Sequence, residues 1–339
     1  MREPAFWYRP LSWQARLLQP LAALYGRIAA RRMEGEGERA GIPVICVGNY
    51  HVGGAGKTPT VIALVALLRE LGETPVIVSR GYGGRLGGPV AVDPARHSAA
   101  DVGDEPLMMA SRLPVVVARD RAAGGRFARR HGATVVLLDD GFQNPGLVKD
   151  VSLIVIDARR GVGNACVFPA GPLRAPLMPQ MARTDALIVV GNGTAADRVM
   201  TEIAAHGGLV FRAHLAPVEA HLARLRGRRV LAFAGIGDPA RFFATLGDNG
   251  VEVVEARAFA DHHPYVAAEI DDLREAAMRQ ALVVVTTEKD MARLAGDPAL
   301  AKRIEDIAMF PVTLGFTDED GLKAFLGRRL KDARAKTGA

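Results

Sequence analysis

From residue 44 onward, short apolar runs alternate with stretches whose apolar positions recur at helical spacing. The runs at 44–47, 76–79, 115–118, 135–138, 153–156 and 186–190 lack polar alternation, so they read as parallel strands buried on both faces. Helix-length stretches such as 60–71 and 119–130 lie between several of them, which predicts a doubly wound α/β domain. Past residue 208 the rhythm restarts with runs at 230–234, 251–256 and 282–286, separated by helical patterns at 240–246 and 267–277. That predicts a second, smaller α/β unit. The stretch 209–226 between the two has little helical periodicity and reads as a linker. No internal repeat or low-complexity tract interrupts the pattern.

The first 33 residues differ in kind. Trp13, Leu17, Leu21, Leu24 and Ile28 fall on one helical stripe, with Leu18 and Tyr25 beside it and Arg16 and Arg27 to the other side. Pro20 is expected to kink or split this helix. Such a stripe fits either a helix packed on the domain or an interfacial helix with its apolar face in lipid and its arginines at the headgroups.

Composition narrows the choice. A chain of 339 residues with 49% apolar and 24% charged residues has material for two cores and lacks the signature of disorder. No uncharged apolar run is long enough to cross a bilayer, and no signal-peptide pattern opens the chain, so a cytosolic protein is expected. The only cysteines, Cys46 and Cys166, offer neither a CxxC pair nor a zinc framework, which suits a reducing compartment. The net charge of +6 is concentrated at the two ends, and the body between them is acidic. Nucleic-acid binders carry their basic residues on the folded surface, so nucleic acid is not an expected partner, whereas an anionic surface touched by the termini is.

The strongest chemical signal follows the first strand, in the segment Gly48-Asn49-Tyr50-His51-Val52-Gly53-Gly54-Ala55-Gly56-Lys57-Thr58-Pro59. Glycines let backbone N–H groups turn onto a phosphate chain, a lysine reaches the β and γ oxygens, and the following hydroxyl can ligate Mg²⁺. Gly53, Gly54, Ala55, Gly56, Lys57 and Thr58 therefore form a candidate P-loop for ATP. His51 stands where the strict pattern has glycine, but an apolar strand before the loop and a helix after it supply the required context.

A second apolar strand ends in Asp139-Asp140, where a P-loop protein places the acid that reaches Mg²⁺, and Gln143 can point its amide at the same mouth. Because parallel strands end at one edge, Arg80 in the Ser79–Gly84 glycine-rich loop, Gly103-Asp104-Glu105-Pro106, and Asp157 with Arg159 and Arg160 are expected to converge there. Arg80 suits a phosphate as well as it suits solvent. In the second unit, Asp261-His262-His263 is either a surface pair or a catalytic group facing the P-loop across a cleft.

Together these segments resemble the tetraacyldisaccharide 4′-kinase (lipid A 4′-kinase) family. The resemblance runs from Phe6-Trp7-Tyr8 to Thr287-Glu288-Lys289-Asp290 and rests on GNYHVGGAGKTP, SRGYGG, GDEP, DDGFQN, FPAGPLR, AGIGDPARFF, FADHH and TEKD in this order. Asn144 replaces the histidine usual after DDGxQ, and Ala175 the acid that commonly follows PLR. The resemblance implies transfer of the ATP γ-phosphoryl to the 4′-hydroxyl of a tetraacylated glucosamine disaccharide 1-phosphate at the cytoplasmic face of the inner membrane. It implies Asp104 and His262 as a proton-accepting dyad. Lys57 and the loop amides, with Arg80, would hold phosphate, and Thr58 with Glu105, Asp139, Asp140 or Gln143 would hold Mg²⁺.

The expected architecture is thus a membrane-associating helix over 1–33, a P-loop domain of doubly wound parallel sheet over 34–208, and a linker over 209–226. A smaller α/β domain over 227–330 contributes to the catalytic cleft, and a basic tail covers 331–339. A membrane-associated P-loop ATPase switch without a small-molecule acceptor would share the loop, the acids and the basic helix. A soluble kinase or ligase for a polar metabolite would leave residues 1–33 as a packing helix.

Overall fold

In the computed structural model, which describes residues 3–10, 12–297 and 299–337, every apolar run named above forms a strand. In chain order they are β1 (Val44–Gly48), β2 (Pro75–Ser79), β3 (Val90–Ala91), β4 (Val115–Val117), β5 (Val135–Asp139), β6 (Val151–Asp157), β7 (Ala186–Val190) and β8 (Leu209–Pro217). There follow β9 (Arg229–Ala234), β10 (Glu252–Ala258), β11 (Val283–Thr287), β12 (Ala308–Phe310) and β13 (Val312–Phe316). Among the described residues the larger sheet has nine strands in the order β13-β8-β7-β6-β1-β5-β2-β4-β3. It is parallel except for the antiparallel pairs β13–β8 and β3–β4 at its edges.

Residues on this sheet are apolar without alternation because both faces are covered. Ile45, Val47, Ile77 and Leu137 pack on one side with Leu64 and Leu68 of the helix Lys57–Glu70 and Leu322 and Leu326 of the helix Glu319–Thr337. Val44, Cys46, Val78 and Leu138 pack on the other with Ala122 and Ala128 of the helix Arg121–Arg130. Strand β1 lies between β6 and β5, the point where the strand order reverses, and the loop leaving it opens at the crevice where such sheets bind ligands.

The second sheet, β10-β9-β11-β12, is parallel throughout. Its helices Ala267–Gln280 and Pro239–Asp248 bury Ile270, Leu273, Phe242 and Leu246 against its two faces.

Two boundaries differ from expectation. The stretch 209–226, expected as a linker, is strand β8 of the large sheet followed by the helix Glu219–Leu225. Alternating exposure along β8 hid it from a search for uniformly apolar strands. The smaller unit also ends sooner than residue 330. The chain returns through β13 to pair with β8, and the helix Glu319–Thr337 then packs on the large sheet, so the smaller unit is an insertion between two neighbouring strands. Residues 331–337 of the expected basic tail belong to that helix, and 338–339 lie outside the described residues.

The N-terminal helix is one unbroken element, Trp13–Met33, with Pro20 inside it and Ser12 Oγ accepting from Ala15 N at its start. It turns Ala15, Ala22, Gly26 and Met33 toward the protein and leaves Trp13 (71% exposed), Leu17 (71%), Leu21, Leu24 and Ile28 outward. Among the described residues no helix is long and apolar enough to cross a membrane.

Candidate active site

The loop after β1 wraps toward the helix Lys57–Glu70, and Gly56 caps that helix at φ +91°, a left-handed conformation that disfavours any side chain. The free N–H groups of the helix's first turn thus face the crevice. The loop is braced from below. Gln143 donates from Nε2 to Asn49 O (2.8 Å) and to Gln180 Oε1 (2.9 Å), so its amide nitrogen supports the root of the loop. His51, in the place of a P-loop glycine, is buried, and it hydrogen-bonds through Nδ1 to Val52 O. Burial lowers its pKa to about 4, and the charges of Lys57, Arg160 and Arg174 add to this, so the ring brings no further charge to the loop.

The smaller unit closes over this loop. The strand ends of both sheets point into one cleft, and a cavity of about 230 Å³ is lined by Gly54–Thr58 on one side and Ile236, Gly237, Arg241, Phe242 and Lys289 on the other. Asp290, fully buried at the start of the helix Glu288–Ala295, organises the far wall. Its carboxylate accepts from Gly235 N (3.1 Å), Tyr265 Oη (3.0 Å), Thr287 Oγ1 (2.7 Å) and Arg293 Nη1 (2.8 Å).

Acids from the large sheet meet bases from the small one. Asp104 Oδ2 accepts from Arg293 Nε at 2.8 Å and lies 3.3 Å from His262 Nδ1. Burial opposes the effect, but the hydrogen bonds from His262 and Arg293 hold the Asp104 carboxyl below its ordinary range. The bond to Asp104 raises His262. Both His262 (φ +57°) and Asp140 (φ +50°) sit in the left-handed region, the kind of local strain that functional sites retain.

Three carboxylates surround the cleft floor. Glu105 is paired with Lys289, whose charge lowers its pKa. Asp140 Oδ1 meets Arg174 Nη1 at 2.8 Å and Lys57 Nζ at 3.8 Å. Asp139 accepts from Ser79 Oγ (3.2 Å) and among the described residues has no ion pair; burial first, then the charges of Glu105 and Asp140, push it up to about 7. A cation would relieve that crowding, so the donor set is of a kind that fits Mg²⁺, and Asp139 and the buried Thr58 are among the residues that could hold it. Among the described residues no three His, Cys, Asp or Glu side chains are grouped so as to hold a metal. Arg80 is exposed on the loop after β2 and does not line the cavity.

The profile of the Tetraacyldisaccharide-1-P 4′-kinase family matches residues 14–331. The chain belongs to this family. It is 66% identical over 336 residues to the Tetraacyldisaccharide 4′-kinase of Rhodopseudomonas palustris strain CGA009, covering 99% of this chain and 98% of that one. It is 63% identical over 334 residues to the same enzyme of Nitrobacter hamburgensis, covering 98% of this chain and 100% of the relative. A crystal structure of LpxK from Aquifex aeolicus in complex with ATP superposes with a TM-score of 0.70 at 27% identity, covering 93% of this chain and 99% of that one.

In this member of the 4′-kinase family, the residues that complete the cleft but drew no role from sequence reading are Arg174, Lys289, Arg293 and Arg241. Arg241, beside the P-loop in the cavity wall, forms an ion pair with buried Asp157, whose other oxygen accepts from the backbone of Arg159 (2.8 Å) and Arg160 (3.2 Å). Arg174 and Lys289 lie in the FPAGPLR and TEKD segments, so the family resemblance those segments carry was the available signal. The Asn144 carboxamide closes a local turn with Gly146 N (2.8 Å), and Ala175 is buried.

Proposed function

We propose that the cleft transfers the γ-phosphoryl group of ATP to the 4′-hydroxyl of the tetraacylated glucosamine disaccharide 1-phosphate, with residues of both units in defined roles. The observation that carries this reading is the Asp104–His262 contact between the two units, next to a cavity that the P-loop and Glu105, the neighbour of Asp104, both line. The amides of residues 53–56 cradle the phosphate chain, and Lys57 neutralises its terminal oxygens. Thr58 and Asp139 would hold Mg²⁺, with Glu105 and Asp140 as further candidate ligands, and the bound ion would supply charge neutralisation on the transferring group. Asp104 fixes the Nδ1–H tautomer of His262, which leaves the Nε2 lone pair to accept the hydroxyl proton as the sugar oxygen attacks.

The acceptor's acyl chains remain in a bilayer, so the enzyme must work at its surface. The outward stripe Trp13, Leu17, Leu21, Leu24 and Ile28 supports peripheral attachment at the cytoplasmic face of the inner membrane, with the flanking arginines at anionic headgroups. A helix that only covered a core would turn these side chains inward; here the small residues face inward.

Incubation with γ-labelled ATP, Mg²⁺ and the tetraacyldisaccharide 1-phosphate tests the reading. Label in the lipid, retained as a 4′-phosphate, is expected. Acceptor-independent ATP consumption with no labelled lipid favours a switch instead.

A further inference from the structure

Tyr82 is a large aromatic ring left 76% exposed beside the catalytic pair, its ring centroid 6.1 Å from that of His262. It occupies the tip of a tight turn in which Gly84 N donates to Gly81 O at 3.0 Å, and Gly83, with φ +82°, takes the turn position that requires a positive dihedral. The turn is held against the segment that carries Asp104. A Cβ on Gly103 would approach Tyr82 O to 2.4 Å, one on Gly84 would approach Asp101 O to 2.7 Å, and one on Gly81 would approach Val102 O to 2.8 Å. Arg85 N and Leu86 N extend the contact by donating to Ala100 O (3.0 Å) and Asp101 O (2.9 Å). Glycines on both sides thus let two backbones touch, and the touching backbones set the Tyr82 ring at a defined place relative to Asp104 and, through it, His262.

A rigidly placed ring facing solvent at the mouth of a catalytic cleft is poorly used as packing and well used as a platform. Pyranose rings present a flat face of C–H groups that rests on an aromatic face, while their hydroxyls project to the side. We propose that Tyr82 is a positioning residue for the acceptor: the sugar that is phosphorylated lies against its ring, which orients the 4′-hydroxyl toward His262 Nε2. This rests on the kinase reading above and adds to it the group that aligns the sugar. Alignment is where such a contact acts most strongly on rate, since small displacements of a reacting hydroxyl are costly.

The test uses the full-length enzyme with Mg²⁺, ATP and the tetraacyldisaccharide 1-phosphate in mixed detergent micelles. Tyr82→Ala is expected to lower kcat/KM for the lipid roughly tenfold, the scale of one aromatic contact. Tyr82→Phe, which keeps the ring, is expected to stay within about twofold of wild type. KM for ATP and the acid limb of the pH profile should be unchanged in both, because neither the P-loop nor the Asp104–His262 bond is touched. Wild-type kinetics for Tyr82→Ala, or a Phe variant as impaired as the Ala variant, would overturn the proposal. A shifted acid limb in Tyr82→Ala would overturn it too, since the ring would then act through the dyad and not on the sugar. Failure of the wild-type enzyme to label the lipid at all would strike the kinase reading instead, so the two can be told apart.

Discussion

Asp104 Oδ2 lies 3.3 Å from His262 Nδ1 although 158 positions separate the two residues in the chain. One residue starts a helix on the large sheet's edge and the other follows a strand of the inserted unit, so the contact exists only while the two units are together. If the pair removes one proton as a unit, Asp104→Ala and His262→Ala each lose about 10²–10⁴-fold in turnover. The double variant is then little worse than the poorer single one. Multiplicative losses at saturating ATP and lipid would show two independent roles.

The same pair sets a pH limit. The hydrogen bond from Asp104 raises His262 above the ordinary imidazole value, Asp261 and Glu105 act in the same direction, and burial and Lys289 oppose them. The pair accepts a proton only while the imidazole is neutral, so turnover falls as pH drops through that raised value. Asp104→Asn removes the charge that stabilises the imidazolium, and the acid limb moves to lower pH while the plateau falls. An acid limb that does not move in this variant belongs to another group.

Lys57→Ala is expected to abolish phosphoryl transfer with an unchanged circular dichroism spectrum, since the side chain serves charge and not packing. Thr58→Ala should raise the Mg²⁺ concentration needed for half-maximal rate. An unaltered Mg²⁺ titration would remove Thr58 from the metal's surroundings.

Membrane attachment is best tested without deleting the N-terminus, because Trp7 Nε1 donates to Pro169 O at 3.1 Å and Glu3 is paired with Arg160. The exposed Leu17, Leu21 and Leu24 can be changed to serine together without disturbing the core. Loss of three leucine side chains from lipid contact should weaken flotation on anionic vesicles by on the order of a hundredfold or more. Full retention by the triple variant would place the contact elsewhere.

Asp290→Ala should destabilise the inserted unit by roughly 1–3 kcal/mol, because it leaves Gly235 N unpartnered while Arg293 keeps its bond to Asp104. A thermal midpoint within a degree of wild type would show that water replaces the carboxylate.

Signals that obey a local rule were legible in the sequence. The P-loop needs a strand, a glycine-rich turn and a helix in immediate succession, and Asp139 needs only to end a run of apolar residues. Their assembly into one cleft follows from parallel strands sharing an edge. Arg174, Lys289 and Arg293 escaped because an arginine or lysine that pairs across a cleft has the same local surroundings as one in solvent; only tertiary placement separates them. Strand β8 escaped because its exposure alternates, and the return of β13 to its side is a long-range pairing without a local mark. The bracing of the loop by Gln143 Nε2 had no local mark either, since its partners lie 94 and 37 residues away.

The antiparallel pairing of β8 with β13 has a mechanical meaning. Pro217 faces Val312 in the ladder, and Val218 N donates to Pro311 O at 3.0 Å, so the chain leaves for the smaller unit and comes back from it side by side. A unit tethered by one strand could swivel; one tethered by two bonded strands is restrained from twisting about its stalk. The double tether therefore helps keep His262, Lys289 and Arg293 in register with the carboxylates they meet, Asp104 and Glu105.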